Sequence, residues 1–277
     1  MASIDLRPMT LGEVLDRTFA LYRQNFLLFA GISALPHLLL LLFRFALLLS
    51  GRAKVMTPAG GTSSSTDIGS AVLAAIGGGL FSLLILGLVQ AATVSAVSDL
   101  YLGRETSVRA SYLRAKGQVL PVIGIIIMCY LATVVGLILL IIPGIILACR
   151  LTLSVPAAIV EQTSPIRSME RSMELTKGHA MQIFLLFVLV FFIAFAVAAL
   201  FQFPVFFLAF NATKTKQAMS IGASAYTYLA EFVSQVVVGP VGTIAYALMY
   251  YNLRVRKEGF DIQHLLSTLG PAPVQGS

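Results

Sequence analysis

Three histidines, two cysteines and twelve carboxylates are the groups from which a hydrolytic or metal-dependent site would have to be built in this chain. Such a site needs a divalent ion held by closely spaced ligands, or a nucleophile beside a base, with a further group to move protons. The spacing supplies neither. His37, His179 and His264 fall in three separate stretches, and the chain has no H-E-x-x-H, no Glu-x-Asp pair, no G-x-S-x-G elbow and no G-x-x-x-x-G-K-[ST] loop. Cys129 and Cys149 lie inside apolar runs without a C-x-x-C partner, so they read as small packing residues. The expectation is a chain with no catalytic residue, no metal and no cofactor.

A different chemistry is suggested by Arg150, the one charge inside the apolar run from Val119 to Val160. A guanidinium at that depth costs roughly 2.5–3.5 kcal/mol to insert, so it should face other helices and find partners there. Gln90, Glu231 and Gln235 are the polar side chains at comparable depth, with Glu231 placed to receive the guanidinium. The cluster Arg150, Gln90, Glu231 and Gln235 reads either as a clamp between helices or as a site for an anion or lipid headgroup.

The elements that position these residues are spanning helices. Of 277 residues 58% are hydrophobic and only 11% charged, with mean hydropathy +0.90. Soluble domains carry about 25% charged residues, so lipid must solvate much of this surface. A crossing takes about 20 apolar residues. On that measure the expected spans are 26–49, 68–98, 119–142, 143–160, 181–210 and 231–251, with Pro143-Gly144 as the turn between the third and fourth. The segment 221–230 is either extra helix or an outer-surface stretch. Residues 51–67 are a Gly/Ser/Thr loop. Residues 1–270 form a single membrane domain, and 271–277 a disordered tail. No cleavable secretory signal precedes the first span.

Amphipathic stretches flank the odd-numbered spans. Thr10 and Glu13 make a T-x-x-E capping box ahead of a helix with Leu11, Val14, Leu15, Phe19 and Tyr22 on one face. Ser164-Pro165 starts and Gly178 stops a second one. There Ile166, Met169 and Met173 form a stripe, and Arg167, Glu170, Arg171, Glu174 and Lys177 a mixed charged face, readable as a cytoplasmic docking surface or as a solvated helix. The openings LDRTFALYRQNFLLF, VRASYLRAKGQVLPV and MERSMELTKGHAMQIFLLF are similar enough to suggest three copies of one unit. With the N-terminus cytoplasmic, the inner loops hold about three times as many Lys and Arg as the outer ones, which puts both termini inside. The expected fold is therefore an all-α integral membrane protein of six transmembrane helices arranged as three hairpins, each preceded by a cytoplasmic amphipathic interfacial helix. Its net charge of +7 fits this loop bias, and no basic, aromatic-rich face for nucleic acid is present.

Three stretches carry a family resemblance: LRPMTLGEVLDRTFALYRQNF, PGIILACRLTLSVPAAIVEQTSPIRSMERSMELTKGH and YYNLRVRKEGFD. They resemble the membrane domain associated with glycerophosphoryl diester phosphodiesterases, over essentially the whole chain apart from the Gly/Ser loop and tail. The chain is similar to the stand-alone form, without a catalytic domain. Asn252 departs from the acidic residue of the YYDLRVR pattern, and His179 follows Gly178 where bulkier or charged residues are common. The resemblance implies a bacterial or archaeal plasma (inner) membrane. Its implied role is a non-catalytic scaffold or accessory factor in envelope or lipid-related processes. Its partners would be the lipid bilayer and a membrane or cytoplasmic protein, not nucleic acid. The alternative is a small-solute or lipid-headgroup transporter or channel with a site near Arg150, in which Gly77-Gly78-Gly79 and the kinking Pro36, Pro156, Pro204 and Pro240 would take part.

Overall fold

A computed structural model describes residues 9–49, 68–215 and 221–259. Long apolar runs fold into the longest helices, and Pro204 and Pro240 lie inside two of them. In order these are α1 (Leu11–Gln24), α2 (Phe26–Leu49), α3 (Ile68–Tyr101), α4 (Val108–Ala115), α5 (Val119–Leu139), α6 (Ile141–Leu151), α7 (Ser154–Glu161), α8 (Pro165–Thr176), α9 (Ala180–Thr215) and α10 (Ile221–Glu258). No strand occurs among the described residues. Six stretches are long and apolar enough to cross a membrane: α2, residues 76–101 of α3, α5, the α6–α7 pair, residues 180–204 of α9, and α10. The chain is a multi-pass helical membrane protein.

Several boundaries differ from the sequence reading. The chain reverses at Leu140, in extended conformation, rather than at Pro143-Gly144. Pro143 is the third residue of α6, where a missing amide hydrogen leaves no intrahelical bond unmade. Gly144 serves a close crossing: a Cβ there would lie 2.6 Å from the backbone nitrogen of Leu137. The fourth span is not continuous. It breaks at Thr152–Leu153, because Pro156 can neither donate to the carbonyl four residues back nor fit its ring beside it. The sixth helix starts at Ile221 instead of near Glu231, so Ile221–Ala230 is extra helix length, and α10 runs about 57 Å. Helix α3 continues to Tyr101 and α9 to Thr215. The loop 51–67 and the tail 271–277 lie outside the described residues.

Helix α10 is the hub, touching α1, α2, α3, α7, α8 and α9. Its second half is buried from Val241 through Leu253 at most positions, around Tyr250 and Tyr251. Peripheral α5 and α9 bury only 11% of their spanning windows, against 56% for α3. Their exposed Leu, Ile and Phe side chains are the surface that lipid must cover.

The packing order is cyclic. Helix α2 packs on α3, α5 on α6, and α9 on α10, while each second span also meets the next first span: α3 on α5, α6 on α9, α10 on α2. The short helices follow the same rule, with α4 on α3, α8 on α7 and α1 on α10. Equivalent register accompanies equivalent packing. Counting from Thr10, Ser107 and Ser164, the residues that precede these three helices, the fourth and eighth positions are buried in each: Val14 and Thr18, Ser111 and Ala115, Ser168 and Ser172. The seventh position is always arginine: Arg17, Arg114 and Arg171.

Candidate functional site

The densest polar cluster stands where α7, α8 and α10 end together. The left-handed Gln162 turns the chain from α7 into α8 and points the second turn of α8 back over Glu161. Arg171 then donates from Nε to Glu161 Oε1 at 2.8 Å, bonds Glu258 of α10 through its other face, and lies 3.7 Å from Glu174. Arg254 donates to Glu258 Oε2 at 3.0 Å, and the Tyr250 hydroxyl donates to Glu161 Oε1 at 2.7 Å. Burial disfavours the Arg171 charge, but the hydrogen bond and field of Glu161 more than offset this and raise its pKa above the usual arginine value. Lys257 donates to the carbonyls of Glu174 and Lys177 at 2.6 and 2.8 Å, placing a cation at the negative end of α8.

This geometry divides the mixed charged face expected on α8. Arg171 turns inward, and Arg167 and Glu170 remain as an exposed pair at 3.2 Å. The Ile166, Met169, Met173 stripe is not the buried one, since Ile166 is 61% exposed. The inward face is Ser168, Ser172, Leu175 and Thr176. Serines permit the close approach that larger side chains would block, and their hydroxyls are satisfied: Ser168 on the Ser164 carbonyl at 2.9 Å, Ser172 on that of Arg150 at 2.6 Å.

A second joint lies where α3, α10 and α1 meet. Asn252, 2% exposed, accepts from the Met9 amide at 2.7 Å and donates to the Met9 carbonyl at 3.0 Å, which Arg256 also bonds at 2.7 Å. Tyr101 stacks on Tyr251 at 4.4 Å, Arg17 sits over Tyr101, and the Ser98 and Tyr251 hydroxyls lie 2.7 Å apart. Asp99, 2% exposed, is bound by Arg114 of α4. The sequence reading passed over Asp99. Its signal was a carboxylate at the end of an apolar run with an arginine 15 residues on.

The four intramembrane candidates are not brought together. Glu231 is engaged by Arg44 of α2, not by Arg150, and the Arg44 guanidinium also lies 5.7 Å from the Tyr228 ring centre. Arg44 thus turns to a helix partner rather than extending to the headgroups. Beside this pair the Nδ1 of His37 donates to the Ser33 carbonyl at 2.8 Å, and the Ser33 hydroxyl to that of Gln235 at 3.0 Å. His37, Arg44, Tyr228, Glu231 and Gln235 line a pocket of about 10 Å³, room for a single water molecule. Arg150 instead reaches α8, donating to the Met173 carbonyl at 3.4 Å. Gln90 is half-buried on α3, outside both groupings.

Chemically, these arrangements tie helices to one another. Asp99, Glu161, Glu231 and Glu258 are each bound by an arginine, so their charge is already compensated. Among the described residues no three His, Cys, Asp or Glu side chains converge as a metal site would require. The donor set does not fit a divalent ion of the kind phosphodiester hydrolysis uses.

No curated protein and no solved structure matches the chain significantly. A family model, described as the membrane domain of glycerophosphoryl diester phosphodiesterase, matches residues 121–265, just over half of the chain. The match takes in the α6–α8 motif and the YYNLRVRKE motif, both built into the network around Arg171, but not the N-terminal motif that contains α1. The chain belongs to the family of the membrane domain of glycerophosphoryl diester phosphodiesterase.

Proposed function

We propose that the protein is a non-catalytic membrane scaffold or accessory factor in envelope or lipid-related processes, seated in a prokaryotic plasma membrane with both termini cytoplasmic and acting through a membrane or cytoplasmic protein partner. One observation supports this above others: among the described residues, the carboxylates Asp99, Glu161, Glu231 and Glu258 are each committed to an arginine on a neighbouring helix. Freeing one for acid–base or metal chemistry would strand a cation in a poorly solvated place. The test is hydrolysis of glycerophosphocholine by the purified full chain with magnesium or calcium. The expected outcome is no glycerol phosphate above a protein-free blank, and turnover abolished by Glu161→Gln or Glu231→Gln would refute the reading.

A second reading, a transporter of small solutes or lipid headgroups, draws on Arg150. Its guanidinium lies on a spanning stretch and meets only a carbonyl at 3.4 Å among the described residues, which leaves donors open to an anion. Anion flux into proteoliposomes that is lost in Arg150→Ala would favour it. Absence of flux, or flux indifferent to that substitution, would remove Arg150 from any such path.

A further inference from the structure

We infer that the outward face of α4 is a binding surface for anionic lipid headgroups, an interaction that goes beyond the scaffold reading and stands whether or not that reading holds. The cyclic packing makes α1, α4 and α8 equivalent, so what differs among their outward faces is informative. On α1 that face presents Asp16, Phe19 and Arg23, with both signs of charge. On α8 it presents the Arg167–Glu170 pair, already neutral. Along α4 and the turn into α5, cation and aliphatic side chain alternate: Arg109 and Leu113 on α4, Lys116 at its C-cap, and Leu120 in the first turn of α5. All four are exposed, Leu113 by 62% and Leu120 by 79%.

Neither Arg109 nor Lys116 has a carboxylate partner among the described residues. Nearby Asp99 is buried and bound by Arg114, and the remaining charges at this end of α3 and α4 are Arg104 and Glu105, both exposed. The face therefore keeps an uncompensated positive charge beside two exposed leucines. That pairing suits one environment. Leucines enter the acyl boundary while Arg109 and Lys116 reach the phosphate layer, as amphipathic helices do at anionic surfaces. Position agrees, because only residues 116–118 separate α4 from α5, a largely apolar helix of 21 residues that enters the bilayer. Tyr112 faces the other way and pins α4 by donating its hydroxyl to the Ile32 carbonyl of α2.

The experiment is native mass spectrometry of the full chain in mild detergent, with equal amounts of phosphatidylglycerol and phosphatidylcholine added. Wild-type protein should retain phosphatidylglycerol preferentially. Each cation near an anionic surface is worth about fivefold, so Arg109→Gln/Lys116→Gln should lower that preference about 30-fold. Arg109→Lys/Lys116→Arg should keep it, as should the α8 control Arg167→Gln/Lys177→Gln. Leu113→Glu should weaken retention of phosphatidylglycerol with the cations intact. Inorganic phosphate should not compete, since the leucines give it nothing. The assignment is overturned if wild-type protein shows no preference, if the double glutamine variant keeps it, if the α8 control loses it equally, or if free phosphate displaces the lipid.

Discussion

Replacing Asn252 by alanine should release the first helix of the bundle while leaving the rest in place. The side chain makes two hydrogen bonds to Met9, accepting from its amide at 2.7 Å and donating to its carbonyl at 3.0 Å. Both residues are buried, at 2% and 4% exposure. Alanine removes both bonds. The carbonyl keeps Arg256 as a donor, but the amide is left without its side-chain acceptor. A stranded buried donor costs about 1–3 kcal/mol, and the second lost bond adds about 1 kcal/mol. The docking of Met9 and α1 on α10 should weaken by about 2–4 kcal/mol, which multiplies local opening at least about 30-fold. Hydrogen exchange of the full chain, read on residues 9–24 and on the buried half of α3, checks this. The first segment should exchange faster and the second should not change. Asn252→Asp should also speed exchange of residues 9–24 relative to wild type, since a carboxylate accepts from the Met9 amide but cannot donate to its carbonyl and brings a charge into a buried place. Unchanged protection of residues 9–24 in the alanine variant would refute the reasoning.

Other substitutions test other joints. Gly144→Ala would set a methyl 2.6–2.7 Å from Leu137 backbone atoms, so it should cost about 1–3 kcal/mol or more and lower Tm in detergent, while Gly124→Ala, with its nearest neighbour at 3.8 Å, should leave Tm unchanged. Arg171→Ala leaves Glu161, 17% exposed, without a cation while Glu258 keeps Arg254, and should destabilise by about 1–3 kcal/mol, with most of the loss recovered in a Glu161→Gln background. Burial pushes the Tyr22 and Tyr112 phenols up from their ordinary value near 10. Their protonated forms are favoured in the fold, so the stability they contribute is intact below pH 10 and lost as pH rises above it. Tyr112→Phe should flatten the alkaline limb of a Tm-versus-pH curve, and an unchanged limb would contradict the assignment.

Much of the fold was legible because bilayer crossings are written in composition. Helix α2 has the expected ends, and the Thr10–Glu13 capping box forms as the spacing implies. What misled was the meaning of proline and glycine. Pro143-Gly144 looks like a turn, yet a proline in the first turn of a helix costs nothing, and Gly144 is there because α5 and α6 cross closely. The site was less legible than the fold. Depth along a span says which polar residues could meet, but azimuth around the helix decides which do, and apolar sequences carry little azimuthal signal. Glu231 therefore found Arg44 rather than Arg150. On α8 the rule that large apolar residues face inward failed, because a serine face packs more closely than an Ile/Met stripe and satisfies its own hydroxyls.

The cyclic packing also explains why position 252 is an amide where the sequence pattern led one to expect an acid. At the first two joints a short helix presents an arginine from its second turn, and the preceding span ends in a carboxylate to meet it: Arg114 on Asp99, Arg171 on Glu161. At the third joint Arg17 is drawn aside over Tyr101, and what α10 meets is the backbone of Met9, one N–H and one C=O side by side. An arginine needs an acceptor only, whereas a peptide pair needs a group that accepts and donates. Asparagine does both without a charge, and at 2% exposure a carboxylate there would also pay for burial. This joint joins residues 243 apart in the chain, so it closes the ring only after both other joints can form. Opening should therefore begin there, which is why α1, the helix that follows Met9, is the segment whose exchange reports on Asn252.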